Sequence, residues 1–423
     1  MAINAKQRSY CGLSHEGASL TGYPKLSIKK GREWHILRGH PWLFSGGISQ
    51  APKKVEPGAI VTLLDCDGKF IANGYYNANC DIAVRILSRT ANQPIDRTFM
   101  IERISAAWNL RKLAFNFEQT NIFRLINAEG DFLPGFIADY YGGVLVVQSH
   151  TAGADTLLEL FLQALDEVVQ PRAIVLRNDA AVRQREGLNV EAPRIIKGSL
   201  DGEIMVKENS LNFLVDPIRG QKTGFFTDQR DKRAALAAYT AHLPYGASLL
   251  NCFSYTCSFS VYAVARNLRL STTNVDQSQP ALDQGVKNFE LNSLALDSHE
   301  FINADAFTFL EKQILLGTKY DAAVLDPPAF AKSHKDKPRA LKAYSRMAAL
   351  GIQIVKDGAI LVLCSCSGAI SLDEFVECVR QSAGASGRAV QLLDTFQQGA
   401  DHPVNLLATE ASYLKVVFCR VLD

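Results

Sequence analysis

Two segments in the second half of the chain carry the residues best suited to chemistry. Residues 320–330 read YDAAVLDPPAF, an apolar run that ends in Asp326, two prolines and an aromatic. Residues 359–368 read AILVLCSCSG, a second apolar run that ends in Cys366 between two serines. Ligands of an open parallel sheet bind beyond the carboxyl ends of its strands. A carboxylate and a thiol on two such strands therefore predict one shared active site, and the pair suggests chemistry on a nucleobase.

The elements that position these segments alternate along the chain from residue 202 onward. Apolar runs of strand length alternate with stretches of helical periodicity, the pattern of a parallel α/β sheet. The last two runs have no helix between them, so we expect them to pair antiparallel. Seven strands that end in a hairpin are the usual architecture of S-adenosylmethionine-dependent methyltransferases. Strands are predicted at 247–255, 271–278, 299–306, 320–327, 359–367, 389–396 and 413–422, and helices at 257–267, 279–292, 306–315, 339–356 and 371–383.

The composition is that of an ordinary globular protein. The 423 residues are 47% hydrophobic and 21% charged, enough for about two to four domains. A net charge of +2 means that any affinity for nucleic acid must come from local basic patches. Nine cysteines without a CxxC pair indicate a reducing compartment rather than a disulfide framework, and no zinc-type spacing occurs. Without a signal peptide or a bilayer-length apolar run, we expect a cytoplasmic protein with no metal site.

Shifts in residue pattern divide the chain into four segments. Residues 1–23 are polar and predict a flexible N-terminal segment. Residues 24–92 hold short strands separated by Pro-Gly, Asp-Gly and Asn-Gly turns, which predict a small β-rich domain. Residues 93–200 mix strands with helical stretches and predict a small α+β domain. Residues 201–423 form the predicted α/β domain.

A basic and aromatic segment of the β-rich domain is a candidate RNA-binding surface. Residues 31–48, GREWHILRGHPWLFSGGI, interleave cations with aromatic rings. Guanidinium groups meet phosphates while rings stack on bases, which suits RNA. Core packing explains Trp42 and Phe44 equally well, whereas arginines are harder to bury. The predicted RNA-binding residues are Lys30, Arg32, Arg38, His40, Arg183 and Arg185.

Two further acids follow predicted strands. Asp276 stands about 20–25 positions after the first strand turn, where an acid typically binds the ribose of an adenosine-containing cofactor. Asp305 follows the next strand, where a carboxylate suits an adenine amine. Each acid alone is equally well explained as a helix N-cap. Together with Asp326 they mark three successive strand ends, and the missing glycine-rich turn fits S-adenosylmethionine, which has no phosphate, better than a dinucleotide.

From about residue 25 to residue 423, the chain resembles the bacterial family of 23S ribosomal RNA cytosine-5 methyltransferases. Members combine an N-terminal PUA domain, a small central domain and a Rossmann-like class I methyltransferase domain. SCSG followed by ADHPV is the more specific pair of motifs, whereas DPPxF is shared by many methyltransferases. The matching segments are the basic aromatic segment, NDAAVRQREG, DPIRGQKTGFFTDQRDKR, LLNCFSYT, VDQSQPALD, DPPAF, SCSG, ADHPV and YLKVVFCRV.

The resemblance implies a role for each matching residue. Cys366 would be the nucleophile, and Asp326 would hold the cytosine. Asp276 would hold the ribose and Asp305 the adenine of S-adenosyl-L-methionine. The resemblance further implies that the cofactor site includes Asn251, Phe253, Tyr255, Asp326 and Pro327.

One departure from the family lies beside this cofactor site. Two glycines of the family are replaced here by Cys257 and Ser258, whose side chains are expected to crowd the amino-acid end of the cofactor.

The implied chemistry is covalent catalysis on a flipped base. Carbon 5 of cytosine is a poor nucleophile, and addition of a thiolate at carbon 6 turns carbon 5 into an enamine carbon. A thiol suits this role because some thiolate exists near neutral pH. The base must leave its stack to be reached. The alternative for Cys366 is a buried core cysteine, and Cys364 is expected to pack within its strand.

Two other functions fit the same motifs. A base N-methyltransferase would need only the DPPAF motif, so that Cys366 would be dispensable. A catalytically weak ribosome-assembly factor would bind RNA without turnover. The expected partner in each case is large-subunit ribosomal RNA, and a homodimer is possible.

Overall fold

The computed structural model describes residues 22–331 and 333–423. The predicted flexible segment 1–23 lies outside the described residues except for its last two. Tyr23 is anchored, because its hydroxyl accepts a hydrogen bond of 2.9 Å from the backbone amide of Ile95. The other boundaries at 92 and 200 stay predictions.

The N-terminal unit is a six-stranded sheet, so the prediction of a β-rich unit is confirmed. The turn after residue 64 needs a positive φ, which Gly68 supplies at 81°. The elements are β1 (Lys25–Ile28), α1 (Trp34–Leu37), β2 (Trp42–Phe44), β3 (Ile48–Gln50), β4 (Ile60–Leu64), β5 (Phe70–Tyr76) and β6 (Ile82–Ser88), with strand order β2-β6-β5-β4-β1-β3.

The central unit packs helices on a five-stranded sheet. Its first helix begins at a side-chain cap, since the Asp96 carboxylate accepts a hydrogen bond from the Phe99 amide. The elements are α2 (Arg97–Ala114), β7 (Ile122–Asn127), β8 (Phe136–Tyr141), β9 (Val144–Ser149), α3 (Ala152–Thr156), α4 (Leu158–Val169), β10 (Ala173–Leu176) and β11 (Arg194–Lys197), with strand order β11-β10-β9-β8-β7.

The third unit begins with a hairpin and continues as an alternating α/β sheet. The hairpin strands are β12 (Ile204–Glu208) and β13 (Leu211–Val215). The sheet strands are β14 (Ser248–Cys252), β15 (Ser271–Asp276), β16 (His299–Asn303), β17 (Tyr320–Leu325), β18 (Val355–Ser365), β19 (Ala389–Phe396) and β20 (Lys415–Leu422). The helices are α5 (Arg230–Thr240), α6 (Ser258–Arg266), α7 (Gln279–Leu291), α8 (Ala306–Leu315), α9 (Lys337–Ile354) and α10 (Leu372–Ser386).

The order of the seven strands is β16-β15-β14-β17-β18-β20-β19. The first five are parallel, and β20 runs antiparallel to both β18 and β19, which confirms the expected final hairpin. The predicted α/β class is therefore confirmed. One strand differs in length: β18 begins at Val355 rather than near 359, because Val355 already pairs with Tyr320 ahead of an irregularity in the register.

The strand order brings the chemistry-bearing loops together. Leu325, the last residue of β17, pairs with Cys252 of β14 on one side and Leu363 of β18 on the other. From β14 the chain continues to β15 on one side of the sheet, whereas β17 and β18 are added on the other side. The strand order therefore reverses between β14 and β17, and such a switch point opens a crevice at the carboxyl ends. Asp326 leaves its strand at this crevice.

A buried charge network of the third unit also contacts the central unit, because the Arg230 guanidinium donates to the Ile122 carbonyl at 2.7 Å. The guanidinium group of Arg230 lies 3.1 Å from the Asp401 carboxylate and 3.3 Å from that of Glu208. Arg233 donates to the same Glu208 carboxylate at 2.6 Å. All four side chains are nearly inaccessible to solvent. Removing one partner would leave a buried charge unpaired, so this network holds the start of α5 in place.

Within the described ranges, none of the helices combines the length and apolarity that crossing a membrane requires.

Candidate active site

Cys366 and Asp326 lie next to each other at the carboxyl ends of the paired strands β17 and β18. The Cys366 side chain is half-buried, and its Sγ lies 3.7 Å from the carbonyl oxygen of Pro327. Asp326, the neighbour of that proline, is also half-buried. The thiol and the carboxylate predicted from separate motifs are therefore brought together, with both side chains accessible.

The protonation of both groups is shifted by burial. Burial raises the pKa of the Cys366 thiol to about 11, against the opposing positive charge of Lys222. Burial, and next the negative charge of Asp228, raise the pKa of Asp326 to about 6. The thiol is therefore protonated at neutral pH in this structure, contrary to the expectation from sequence. Attack by sulfur requires that this proton leaves first.

Two residues that the sequence reasoning left without a role complete this part of the site. Asp228 and Gln229 lie in a 3₁₀ helix, Thr227–Gln229, just before α5. The Gln229 amide nitrogen donates to the Asp326 carboxylate at 2.9 Å. The Tyr413 hydroxyl donates to the Asp228 carboxylate at 2.6 Å. In the sequence, the segment TDQRDKR is notable only because it matches the family.

The loop after β18 is held in place by hydrogen bonds to Ser367. The Ser367 hydroxyl accepts a hydrogen bond of 3.0 Å from the Ala331 amide and lies 2.9 Å from the Tyr344 hydroxyl. The Lys415 ammonium donates to the Ser367 carbonyl at 2.5 Å, and burial lowers the pKa of Lys415 to about 8. Cys364 is fully buried and packs in the core. These contacts set the direction in which the Cys366 side chain points.

The acids after β15 and β16 are tied to the backbone of the loops around them. Asp276 accepts hydrogen bonds from the amides of Tyr255 at 2.8 Å and Ser278 at 2.9 Å. Asp305 is exposed and caps α8 through the Thr308 amide at 2.9 Å, and this bond lowers the pKa of Asp305. Both carboxylates keep free lone pairs, so each acts as a structural cap and is also able to accept from a ligand hydroxyl or amine.

The three residues at the end of β14 and just after it, Asn251, Phe253 and Tyr255, are all predicted to lie in the cofactor site, but they differ in burial. Phe253 and Tyr255 are half-buried beside the crevice, with Phe253 against Phe307 at 6.0 Å between ring centroids. Asn251 is only 1% exposed, and its amide nitrogen donates to the Ser260 hydroxyl of α6 at 3.0 Å. The placement of Asn251 in the pocket lining is therefore corrected. As a mid-sheet residue it finds its partners in the core.

Cys257, expected to crowd the cofactor, has a side chain that is turned into the core. Cys257 adopts the left-handed conformation, with φ 60°, and its side chain is fully buried. A Cβ at Gly285 of α7 would lie only 2.5 Å from the Cys257 sulfur, so this side chain packs against α7 and away from the crevice. The glycine on α7 makes room for the cysteine.

The basic aromatic segment forms a second concave surface on the N-terminal unit. Lys30, Arg32 and Arg38 are exposed and His40 is half-buried. A cavity of about 400 Å³ opens there, lined by Arg32, His40, Phe44 and by Glu410 from the third unit. Phe44 is 49% exposed, so its ring is not a core residue. Exposed cations around an aromatic cavity suit a nucleic acid.

Arg183 is not part of that surface and is corrected as an RNA-binding candidate. Its side chain is 1% exposed and donates to the Asp155 carboxylate at 2.8 Å and the Ser149 carbonyl at 2.5 Å. Arg185, two residues on, is exposed. The sequence shows two arginines close together, but it does not show that Arg183 has a partner inside the protein.

In the part of the chain that the structure describes, no group of three or more His, Cys, Asp and Glu side chains is arranged to hold a metal ion. The eight described cysteines are free thiols.

Comparisons with known protein families place these features in context. The sequence matches the PUA-like domain family over residues 26–89 and the S-adenosylmethionine-dependent methyltransferase family over residues 127–403. A Klebsiella pneumoniae (strain 342) protein named "Ribosomal RNA large subunit methyltransferase I" is 36% identical over 400 residues, which cover 95% of this chain and 99% of that protein. An Escherichia coli (strain SMS-3-5 / SECEC) protein of the same name is 36% identical over 403 residues, covering 94% and 99%.

Solved structures share the whole architecture. A putative methyltransferase from Streptococcus mutans superposes with a TM-score of 0.80 at 23% identity, covering 94% of this chain and 100% of that one. A putative methyltransferase complexed with SAH gives the same TM-score at 22% identity, again covering 94% and 100%. At these identities the likeness concerns the fold.

Proposed function

The chain belongs to the ribosomal RNA large subunit methyltransferase I family of S-adenosylmethionine-dependent methyltransferases, and we propose that it forms 5-methylcytosine in large-subunit ribosomal RNA. In this proposal the base is held by Asp326 and is attacked by Cys366.

One observation carries the proposal. The Cys366 thiol lies beside the segment that carries Asp326, because its sulfur is 3.7 Å from the carbonyl of Pro327, and both side chains are half-buried. A methyltransferase that modifies a base nitrogen needs no thiol at this place. An accessible cysteine beside the base-holding acid therefore favours attack at carbon 6.

The strand-end acids suit the cofactor. Asp276 and the exposed Asp305 are acceptors for ribose hydroxyls and an adenine amine, and the half-buried Phe253 and Tyr255 lie in the loop after β14 whose amide bonds to Asp276. When bound there, S-adenosylmethionine supplies the methyl group that carbon 5 receives. This part of the proposal depends on acceptors whose free lone pairs face the crevice.

The protein residues carry the remaining steps. The Cys366 sulfur, once deprotonated, forms a bond to carbon 6, and the electrons of the 5,6 double bond move toward the N3 edge. Asp326, with a pKa near 6, holds a proton at that edge in part of the molecules near neutral pH. After methylation, loss of the carbon-5 proton restores the double bond and expels the Cys366 thiolate.

The RNA contacts are proposed for Arg32 and His40, which line the N-terminal cavity, and for the exposed Lys30 and Arg38 of the same segment. They would hold the RNA backbone, while one base leaves its stack to reach the crevice. A cytoplasmic location and a homodimer stay predictions.

A trapped adduct tests the cysteine mechanism. A large-subunit ribosomal RNA transcript that contains 5-azacytidine, incubated with the protein and S-adenosylmethionine, is expected to give a complex that survives denaturing electrophoresis. Cys366→Ala is expected to abolish the complex, and Cys66→Ala, which removes an exposed thiol elsewhere, is expected to leave it intact.

Each other outcome selects another function. Methylation that persists in Cys366→Ala would overturn the proposal in favour of a base nitrogen as the acceptor. A native chain that binds the transcript but not S-adenosylmethionine by calorimetry would indicate an assembly factor.

A further inference from the structure

Two buried oxygen atoms beside Asp326 have no hydrogen-bond donor among the described residues. They are Oε1 of Gln229 and Oδ1 of Asp228, on side chains only 4% and 6% exposed. Buried polar atoms in folded proteins nearly always have a partner, and an unpaired one costs stability. Two such unpaired acceptors on consecutive residues therefore suggest that a donor binds there.

Their direction is set by the bonds that the same side chains make. The amide nitrogen of Gln229 donates to the Asp326 carboxylate, so the oxygen of the same amide lies next to Asp326. The second carboxylate oxygen of Asp228 is occupied by the Tyr413 hydroxyl at 2.6 Å. Asp228 stays ionised, because positive charges of His402 and Lys222 and the Tyr413 bond lower its pKa despite burial. Both free oxygens are thus acceptors only.

The cations nearby are engaged elsewhere. The Lys232 ammonium donates to the backbone carbonyl of Asp228 at 2.7 Å. The Lys222 ammonium lies over the ring of Phe226, 4.5 Å from its centroid. The His402 ring faces Asp401, with its Nδ1 3.1 Å from the Asp401 carboxylate. Neither the two lysines nor His402 donates to the two free oxygens, so a bound ligand can supply the donors.

We propose that Asp228 and Gln229 read the exocyclic amine of the target base, so that the site accepts a 4-aminopyrimidine and rejects a 4-oxopyrimidine. The inference rests on the proposed function, in which the Watson–Crick edge of a flipped base faces Asp326. An amine at carbon 4 brings two N–H donors to two acceptors. A carbonyl at that position brings only lone pairs and leaves both buried oxygens unpaired. Since both residues are less exposed than Asp326, only a base fully withdrawn from its stack reaches them.

The test exchanges one acceptor for a donor. In Asp228→Asn the amide oxygen retains the Tyr413 bond, and the amide nitrogen takes the place of the free oxygen. Two probes are compared by trapping: large-subunit ribosomal RNA transcripts that contain 5-azacytidine, which has the amine, or 5-fluorouridine, which has the carbonyl. Asp231→Asn is the matched control, because Asp231 is exposed and lies three residues along the same segment.

The native chain is expected to trap the amine transcript at least about 100-fold faster than the carbonyl transcript. Asp228→Asn is expected to reduce this ratio by at least about tenfold, and Gln229→Met is expected to reduce it as well, since methionine matches the length of glutamine without its acceptor. Asp231→Asn is expected to retain the native ratio.

The outcomes separate the two proposals. If the native chain traps neither transcript, the cysteine mechanism fails. If it traps the amine transcript but Asp228→Asn and Gln229→Met slow both probes equally, the two residues only support the fold and the reading of the amine is overturned. The ratio distinguishes recognition from loss of folded protein, because unfolding lowers both rates together.

Discussion

The two halves of the proposed active site, a cofactor half and a base half, are assembled over very different distances along the chain. The cofactor half is built by consecutive strand-end loops, in which Asp276 bonds to Tyr255 at a separation of 21 residues and to Ser278 at a separation of two. In the base half, Gln229 bonds to Asp326 across 97 residues, and Tyr413 bonds to Asp228 across 185. The short-range bonds of the cofactor half should survive substitutions elsewhere in the protein. The long-range bonds of the base half form only when distant parts of the chain pack correctly.

The buried charges explain how the base half is held. Asp228 and Gln229 precede α5, whose first turn carries Arg230 and Arg233 into the network with Glu208 and Asp401. A change in this network is expected to disturb the base half first. The following predictions test this difference, beginning with the largest effect.

Asp401→Ala is expected to lower the free energy of unfolding by about 4 kcal/mol, because it leaves the buried Arg230 with one partner fewer. Urea denaturation measures this change. Asp297→Ala, at an exposed position of the third unit, is expected to change it by less than about 0.5 kcal/mol. An equal, small effect of both substitutions would show that the buried charge network does not hold the start of α5 in place.

Asp326→Asn is expected to stabilise the protein in a pH-dependent way. The folded state raises the pKa of Asp326 from 3.8 to about 6, so ionisation of the native carboxyl opposes folding increasingly as the pH rises through this interval. The asparagine variant cannot ionise. Its gain should be near zero below pH 4 and reach about 3 kcal/mol above pH 7.

Urea denaturation between pH 4 and pH 8 measures the difference between the native chain and Asp326→Asn. A difference that does not change with pH would mean that the carboxyl titrates normally in the folded protein. Calorimetry with S-adenosylmethionine on the same variant then shows whether Asp326 contributes to both halves of the site or to the base half alone.

Gly285→Ala tests the cofactor half. The new Cβ would meet the Cys257 sulfur at 2.5 Å, so the substitution is expected to cost about 2 kcal/mol of stability and to weaken S-adenosylmethionine binding. Adding Cys257→Gly removes the obstructing sulfur at a residue whose φ of 60° suits glycine, and should recover most of the loss.

A double-mutant cycle with urea denaturation measures this recovery. Gly384→Ala is the control, since a Cβ there meets no atom within 4 Å. Additive losses in the double variant would contradict the contact between Cys257 and α7.

Tyr413→Phe is expected to have the smallest effect. It removes the hydroxyl that orients Asp228, so methylation should slow by about tenfold while the affinity for S-adenosylmethionine stays the same. Tyr239→Phe, which keeps a ring stacked on Phe418, is expected to retain native activity. An equal loss of cofactor affinity in Tyr413→Phe would mean that the two halves are not independent.

Sequence reasoning was most successful where a side chain follows directly from a strand. The apolar runs located β14 to β20, and their ends located Asp276, Asp305, Asp326 and Cys366, because strand order then brings them to one edge. It was wrong for Asn251 and Arg183. A polar side chain needs hydrogen-bond partners, but the sequence does not show whether water or buried protein groups supply them.

The sequence by itself determined the periodicity of the α/β sheet, the family motifs and the acids and thiol at the strand ends, since these depend on neighbouring residues. Only the tertiary structure decided that Gln229 meets Asp326, that Arg183 pairs with Asp155 inside the central unit, and that burial raises the pKa of the Cys366 thiol. Each of these depends on burial and on partners distant in the chain, and burial is a property of the packed molecule.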